Sequence, residues 1–157
     1  MSETKDQPGK MVVGFMFDPK LQKVVLIEKA RPDWQSGRCN GVGGKVKEGE
    51  SVLVAMAREF KEETGVITDP LEWTHFATMA GNNNDGEPFE IDFFFIKSQH
   101  YDHVALQPGE DEPPVLAWVS DIRIGDNIYL DNIAWLVGLA YDCAKDGRPH
   151  KAHITYL

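Results

Sequence analysis

The sequence predicts an α/β fold in which a mixed β-sheet is flanked by helices. Three observations predict it. Short β-rich apolar runs recur along the chain, two longer stretches carry apolar residues at helical spacing, and glycine-rich or polar turns separate them. At 157 residues, with no repeat and no internal linker, the chain is long enough to bury one core. Residues 1–10, MSETKDQPGK, are polar and read as a loose tail, which leaves 11–157 as a single domain.

Residues 11–17, MVVGFMF, form the first β-type run, broken by Asp18-Pro19, and 23–29, KVVLIEK, form the second. DPKLQ between them reads as a hairpin connection. ARPDWQSGRCNGVGG follows, long enough for a binding loop rather than a simple turn. A helix is expected from near Ser51 to Gly65, a residue suited to close it. At ~100° per residue, Leu53, Met56, Ala57 and Phe60 fall on one face, Glu59 and Glu63 lie one turn apart on an adjacent face, and Glu62 sits beside them. Strands are expected over 71–79 and 89–97, with AGNNNDGEP as the hairpin loop between them. In the second of these, Phe89, Ile91, Phe93 and Phe95 alternate with Glu90, Asp92 and Phe94. After the acidic loop QPGEDEPP comes a short strand, VLAWV. A second helix is expected from Asn132 to about Lys145, with Ile133, Leu136, Val137, Ala140 and Ala144 at helical spacing and Gly147 ending it. HKAHITYL supplies a last strand.

Composition excludes several roles. No apolar run approaches the ~18 residues that span a bilayer, and the first ten residues lack the apolar core of a signal peptide, so no membrane partner is expected. Cys39 and Cys143 form no CxxC pair, which points to a reduced, cytoplasmic protein. A net charge of −9 disfavours a nucleic-acid polymer as partner, because an acidic surface repels its backbone. Small nucleotides remain open, since carboxylates loaded with divalent cations make a phosphate-binding surface.

The informative stretch is 44–66, GKVKEGESVLVAMAREFKEETGV. Four glutamates within fourteen positions, Glu50, Glu59, Glu62 and Glu63, repel one another unless something neutralises them, and hard cations take oxygen ligands. A solvated acidic face is the ordinary reading of a short run such as EFKEE. The full stretch, however, matches GX5EX7REUXEEXGU (U apolar) at Gly44, Glu50, Arg58, Glu59, Phe60, Glu62, Glu63, Gly65 and Val66. Seven fixed residues at roughly one in twenty each put a chance match on the order of 10⁻⁹. The stretch resembles the signature of the Nudix hydrolases.

That resemblance implies an α/β/α sandwich and hydrolysis of a nucleoside diphosphate linked to another group, with Mg²⁺ or Mn²⁺ as cofactor. It implies Glu59, Glu62, Glu63 and the Gly43 carbonyl as metal ligands, and Arg58 as an orienting ion-pair partner, with Glu50 the expected mate. Gly43 and Gly44 would give close main-chain approach, and Lys45 would reach a phosphate or the attacking water. Glu59 is the expected base. A glutamate from a distant loop takes that role in some members, and among Glu110, Asp111 and Glu112 the last is favoured. The local segment WQSGRCNGVGGKVKEGE is similar to that of 8-oxo-dGTP pyrophosphohydrolases, which implies Trp34 stacking on a base and Asn40 reading its edge. YLDN before the last helix resembles their second base-reading segment, with Asp131 and Asn132 as purine readers; either residue would also serve as a helix cap. The expected substrate is therefore a purine nucleoside triphosphate, oxidised or not, cleaved to monophosphate and pyrophosphate. The alternatives are a hydrolase of ADP-ribose or another conjugate, and a non-catalytic nucleotide-binding module. Retention of all four glutamates argues against the last. Marks of the ADP-ribose, dinucleoside polyphosphate and coenzyme A branches are absent.

Overall fold

Strand β1 (Asp6–Phe17) is the hub of the sheet, because both of its edges are used and one of them is shared. Along one edge it pairs in parallel with β6 (Pro88–Lys97). Along the other, residues 6–14 pair antiparallel with β4 (Val42–Lys47), and only Met16 and Phe17 pair with β2 (Lys23–Glu28). The sheet therefore splits where β1 leaves β4 for β2, and the chain between them, with the two-residue β3 (Cys39–Asn40) paired to β2, lies at the split. The computed structural model describes residues 6–123, 125–147 and 152–155. Among them the sheet is completed by β5 (Thr74–Asn82) antiparallel to β6, β7 (Pro114–Trp118) antiparallel to β2, and β8 (Ala152–Thr155) parallel to β5.

Helix α1 (Val52–Thr64) covers one face and α2 (Ile133–Asp146) the other, the α/β/α arrangement. The sequence accounts for both helices. Ser51 Oγ accepts from Val54 N at 3.3 Å and Gly65 closes α1 in the left-handed region, φ 81°. Gly147 does the same for α2. Met56 and Phe60 of α1 pack with Val12, Met16, Val25, Phe94 and Ile96. On the other face, Ile133, Leu136, Val137 and Ala140 of α2 pack with Phe15, Phe76, Phe93 and Phe95. Strand β6 is thus buried on both faces, which is why its aromatic run is nearly continuous rather than alternating with polar residues. Among the described residues no helix is long and apolar enough to cross a membrane.

Three expectations are corrected. Residues 6–10 of the expected tail belong to β1, tied down by the Gln7 side-chain amide, which donates to the main-chain carbonyls of Lys47 (3.0 Å) and Glu50 (3.3 Å); residues 1–5 lie outside the described residues. Strand β5 starts at Thr74 rather than at residue 71, because Asp69 accepts from Leu71 N and Pro70 sets a short 3-10 turn over Pro70–Glu72. The long loop before the motif helix is partly strand, since β3 and β4 lie within it. The DPKLQ hairpin is as expected. Its Asp18 is buried and accepts from the main-chain N–H groups of Lys20, Gln22 and Lys23 at 3.2, 2.6 and 2.6 Å.

Candidate active site

The site is built where α1 lies across β4. Strand alternation puts Val42, Gly44 and Val46 on the α1 side of β4. Gly44 is the gap in that row. A Cβ placed on it would fall 2.5 Å from the Glu59 carboxyl, so only glycine lets this carboxylate lie against the strand. One residue earlier, a Cβ on Gly43 would collide with the main-chain oxygen of Val12, and the Gly43 N–H donates to Glu63 Oε2 at 3.3 Å. The two glycines thus bring main chain and two helix carboxylates together. Gly44→Ala is expected to displace a side chain only, lowering activity about tenfold while stability changes by less than about 1 kcal/mol. Gly43→Ala must move backbone and is expected to cost about 2 kcal/mol or more. Urea midpoints with initial rates on both variants check this.

Arg58 organises the charges. Its Nε and Nη2 hold Glu50 through both carboxylate oxygens (2.7 and 2.9 Å), and Nη2 also donates to the Lys45 carbonyl at 2.9 Å. Its Nη1 reaches Glu59 Oε1 at 2.9 Å and Glu62 Oε2 at 3.2 Å. The Arg58 and Glu50 side chains are only 19% and 12% exposed, so this fork-to-fork pair is shielded from water. Glu50 also caps the turn by accepting from Lys47 N at 3.1 Å. The hydrogen bond from Arg58 holds the Glu50 carboxyl below the ordinary carboxylate range, and the same bond raises the Arg58 guanidinium further.

Glu59 and Glu63 behave oppositely. Burial pushes Glu59 up despite Arg58, and burial together with the neighbouring Glu59 charge pushes Glu63 up to about 8. Two half-buried carboxylates that resist ionisation beside a glycine strand are the donor set a hard divalent cation fits. The expected trio of side-chain ligands is not gathered. Among the described residues no three acidic, histidine or cysteine side chains converge on one point. Glu62 is 48% exposed and turned towards Arg58, one turn away on the helix, which relieves its repulsion from Glu59 and Glu63.

Glu112 requires correction as a base. Its buried carboxylate accepts from Lys29 Nζ (2.9 Å), Ala30 N (2.7 Å) and Arg31 N (3.4 Å). Although burial works against ionisation, these donors hold it below the ordinary range. It clasps the loop after β2 to the loop before β7, and Arg31 pairs with Asp111 beside it. The loop carboxylate whose charge acts on Glu63 is Glu110, alongside the Lys29 ammonium, which opposes it. Lys45 is exposed and projects from the side of β4 opposite Gly44.

The expected base-reading residues come from two distant segments that the structure joins. Cys39 bridges Tyr129: its N–H donates to the Ile128 carbonyl at 2.7 Å, and its carbonyl accepts from Leu130 N at 3.1 Å. Asn40, Asp131 and Asn132 therefore stand at one edge of the split sheet. Asn40 Oδ1 accepts from Gly41 N at 2.8 Å, and Asn132 makes no side-chain cap to α2, so the capping role does not account for it. Trp34 is 67% exposed in a 3-10 turn, Asp33–Gln35. Trp135 is a further aromatic candidate that the apolar stripe of α2 leaves aside. It is exposed three residues beyond Asn132, hence on the same side of α2, while Ile133, Leu136 and Val137 are buried. Its position off the apolar stripe was the signal that could have found it. Cys39 is buried and its thiol raised first by burial, then by the Glu28 charge, which suits a packing residue rather than a nucleophile.

Residues 8–124 match the family model of the NUDIX domain. Over 97 residues the chain is 35% identical to the oxidized purine nucleoside triphosphate hydrolase of Mus musculus; the match takes in 62% of this chain and spans 58% of the mouse protein. Over 129 residues it is 27% identical to the protein of the same name from Danio rerio, covering 76% of this chain and 79% of that protein. Among solved structures, a MutT protein from Bacillus halodurans superposes with a TM-score of 0.67 at 15% identity, over 94% of this chain and 89% of that one. A NUDIX-family hydrolase from Clostridium perfringens gives 0.66 at 16% identity, over 88% of this chain and 99% of that one. At such identities the structural likeness speaks for the fold.

Proposed function

The chain belongs to the Nudix hydrolase family, and on that footing we propose that it is a divalent-metal-dependent pyrophosphohydrolase of purine nucleoside triphosphates, oxidised forms included. The observation that carries the chemistry is the pair of half-buried carboxylates, Glu59 and Glu63, laid against Gly43 and Gly44 and oriented by Arg58. These two side chains with the Gly43 carbonyl would hold the cation, and Glu62 would join them only by leaving Arg58. Mg²⁺ or Mn²⁺ held there supplies neutralisation of the diphosphate oxygens and acidifies water.

The chain's own residues do the rest. Water attacks phosphorus, the anhydride P–O bond breaks, and monophosphate and pyrophosphate leave. Glu59 takes the proton from the attacking water, its direction fixed by the bond from Arg58. Glu112, held by Lys29 and by the N–H groups of Ala30 and Arg31, is not assigned the base role in this step. Lys45, which projects from the face of β4 away from Gly44, is given no part in this step.

The purine reading is supported by the bridge between Cys39 and Tyr129, which joins the segment carrying Asn40 to the segment carrying Asp131 and Asn132. Both relatives named above are hydrolases of oxidized purine nucleoside triphosphates, which supports the same class here. Asn40 and Asn132 would hydrogen-bond the base edge, Asp131 would accept from a ring N–H or amino group, and Trp34 or Trp135 would stack on its face. A panel of normal and oxidised nucleoside triphosphates, ADP-ribose and other conjugates with Mg²⁺ tests this. The expected result is kcat/KM for a purine triphosphate at least about tenfold above any pyrimidine triphosphate, with that margin lost in Asn40→Ala. Faster cleavage of ADP-ribose or another conjugate than of any triphosphate would overturn the substrate assignment and leave the hydrolytic site standing.

A further inference from the structure

We infer that Arg38 is the positioning residue that sets base selectivity, by fixing the strand-like segment 128–132 against β3. This rests on the purine reading of Asn40, Asp131 and Asn132. Arg38 immediately precedes β3, and a single guanidinium nitrogen, Nη2, donates both to the Tyr129 carbonyl at 2.7 Å and to Asp131 Oδ1 at 3.1 Å. The main-chain bonds from Cys39 to Ile128 and Leu130 anchor the segment only as far as residue 130. Tyr129 and Leu130 are buried beneath it, whereas the Asp131 side chain is 92% exposed. Among the described hydrogen bonds, Arg38 is what holds that side chain. It thereby fixes the carboxylate one residue before Asn132, whose own side chain makes no cap.

A second observation sets Arg38 apart. Its Nε is the one buried side-chain nitrogen or oxygen identified without a hydrogen-bond partner among the described residues. A buried donor left without an acceptor costs free energy, so the bonds from Arg38 to the Tyr129 carbonyl and Asp131 are what hold the guanidinium in this place. A carboxylate paired in this way accepts hydrogen bonds and does not donate them. The Arg38–Asp131 pair therefore presents an acceptor of fixed direction, which suits an edge with adjacent N–H donors, such as guanine's N1–H and N2–H2, better than cytosine's single amino group beside a ring acceptor.

The test uses the full chain with Mg²⁺ and initial rates on dGTP, 8-oxo-dGTP and dCTP. Arg38→Met keeps the apolar stem and removes the donors. It is expected to raise KM for the better purine substrate about tenfold, keep kcat within about threefold, and lower the purine-over-dCTP ratio of kcat/KM about tenfold. Arg38→Lys returns a cationic donor to the same place and is expected to recover part of that ratio, about threefold below wild type. It carries the comparison alone if the Met variant does not fold. Equal losses on purine and pyrimidine substrates, a fall in kcat with KM unchanged, or a Lys variant no better than Met would overturn the inference. Asn40→Ala separates the two layers. If it abolishes the purine preference while both Arg38 variants keep it, only the role of Arg38 falls. If the wild type has no purine preference, or Asn40→Ala leaves it intact, the purine reading falls and takes the role of Arg38 with it.

Discussion

Glu63→Gln is expected to lower kcat by about 10³-fold or more and, with no divalent cation present, to make the protein more stable at pH 8. Both effects follow from one feature. The Glu63 carboxyl is pushed up to about 8, first by burial and then by Glu59, so ionising it in the folded chain is unfavourable. Its folded value lies above its ordinary value of 4.5, so the unfolded state binds fewer protons between those limits. The stability it contributes is complete below pH 4.5 and is lost as pH rises towards 8. Glutamine does not ionise and removes that slope. Urea titrations at pH 5 and pH 8 in EDTA check this: the wild type should weaken relative to the variant at pH 8, and added Mg²⁺ should restore the wild type alone. The depressed Glu50 carboxyl works in the opposite direction, since its stabilisation is lost as pH falls below 4.5, so it leaves the pH 5–8 window undisturbed. A pH-independent difference, or a variant with wild-type turnover, would remove Glu63 from the metal site.

Arg58→Ala carries the second-largest effect, on stability and turnover together. It strips the shielded Glu50 carboxylate of both its charge-assisted bonds and frees Glu59 and Glu62 to repel Glu63. Breaking one side of a poorly solvated ion pair costs about 3 kcal/mol, and loss of direction at Glu59 is expected to lower kcat about 10²-fold. Arg58→Lys should recover little of either, because one ammonium cannot span two carboxylate oxygens and the Lys45 carbonyl. Urea unfolding and steady-state rates on the two variants report both quantities. A stable, active Arg58→Ala protein would contradict the clamp.

Much of this was legible because it is local. Ser51, the apolar stripe through Met56 and Phe60, and Gly65 specify α1 within one segment, and the signature names its charged residues. What stayed hidden depends on contacts between segments distant in sequence. Residues 6–10 are polar and become a strand only because β4 and the Gln7 amide hold them. Glu110, Asp111 and Glu112 are three neighbouring acids in a loop, alike in sequence. Only the position of Lys29, 83 residues from Glu112, makes the last a clasp. Glu62 reads as a ligand in the signature, yet Arg58, four residues earlier, claims it where no cation competes. Asn40 and Asn132 lie 92 residues apart in sequence, and only the bridge from Cys39 to Tyr129 joins the segments that carry them.

The central claim is that Glu59 and Glu63, set on Gly43 and Gly44, direct water onto an anhydride bond of a purine triphosphate with release of pyrophosphate. Chromatographic analysis of the products from dGTP and 8-oxo-dGTP, with Mg²⁺ and with EDTA, tests it most directly. The predicted result is monophosphate and pyrophosphate in equal amounts with Mg²⁺ and none with EDTA. Diphosphate and inorganic phosphate as products, or turnover undiminished in EDTA, would contradict it.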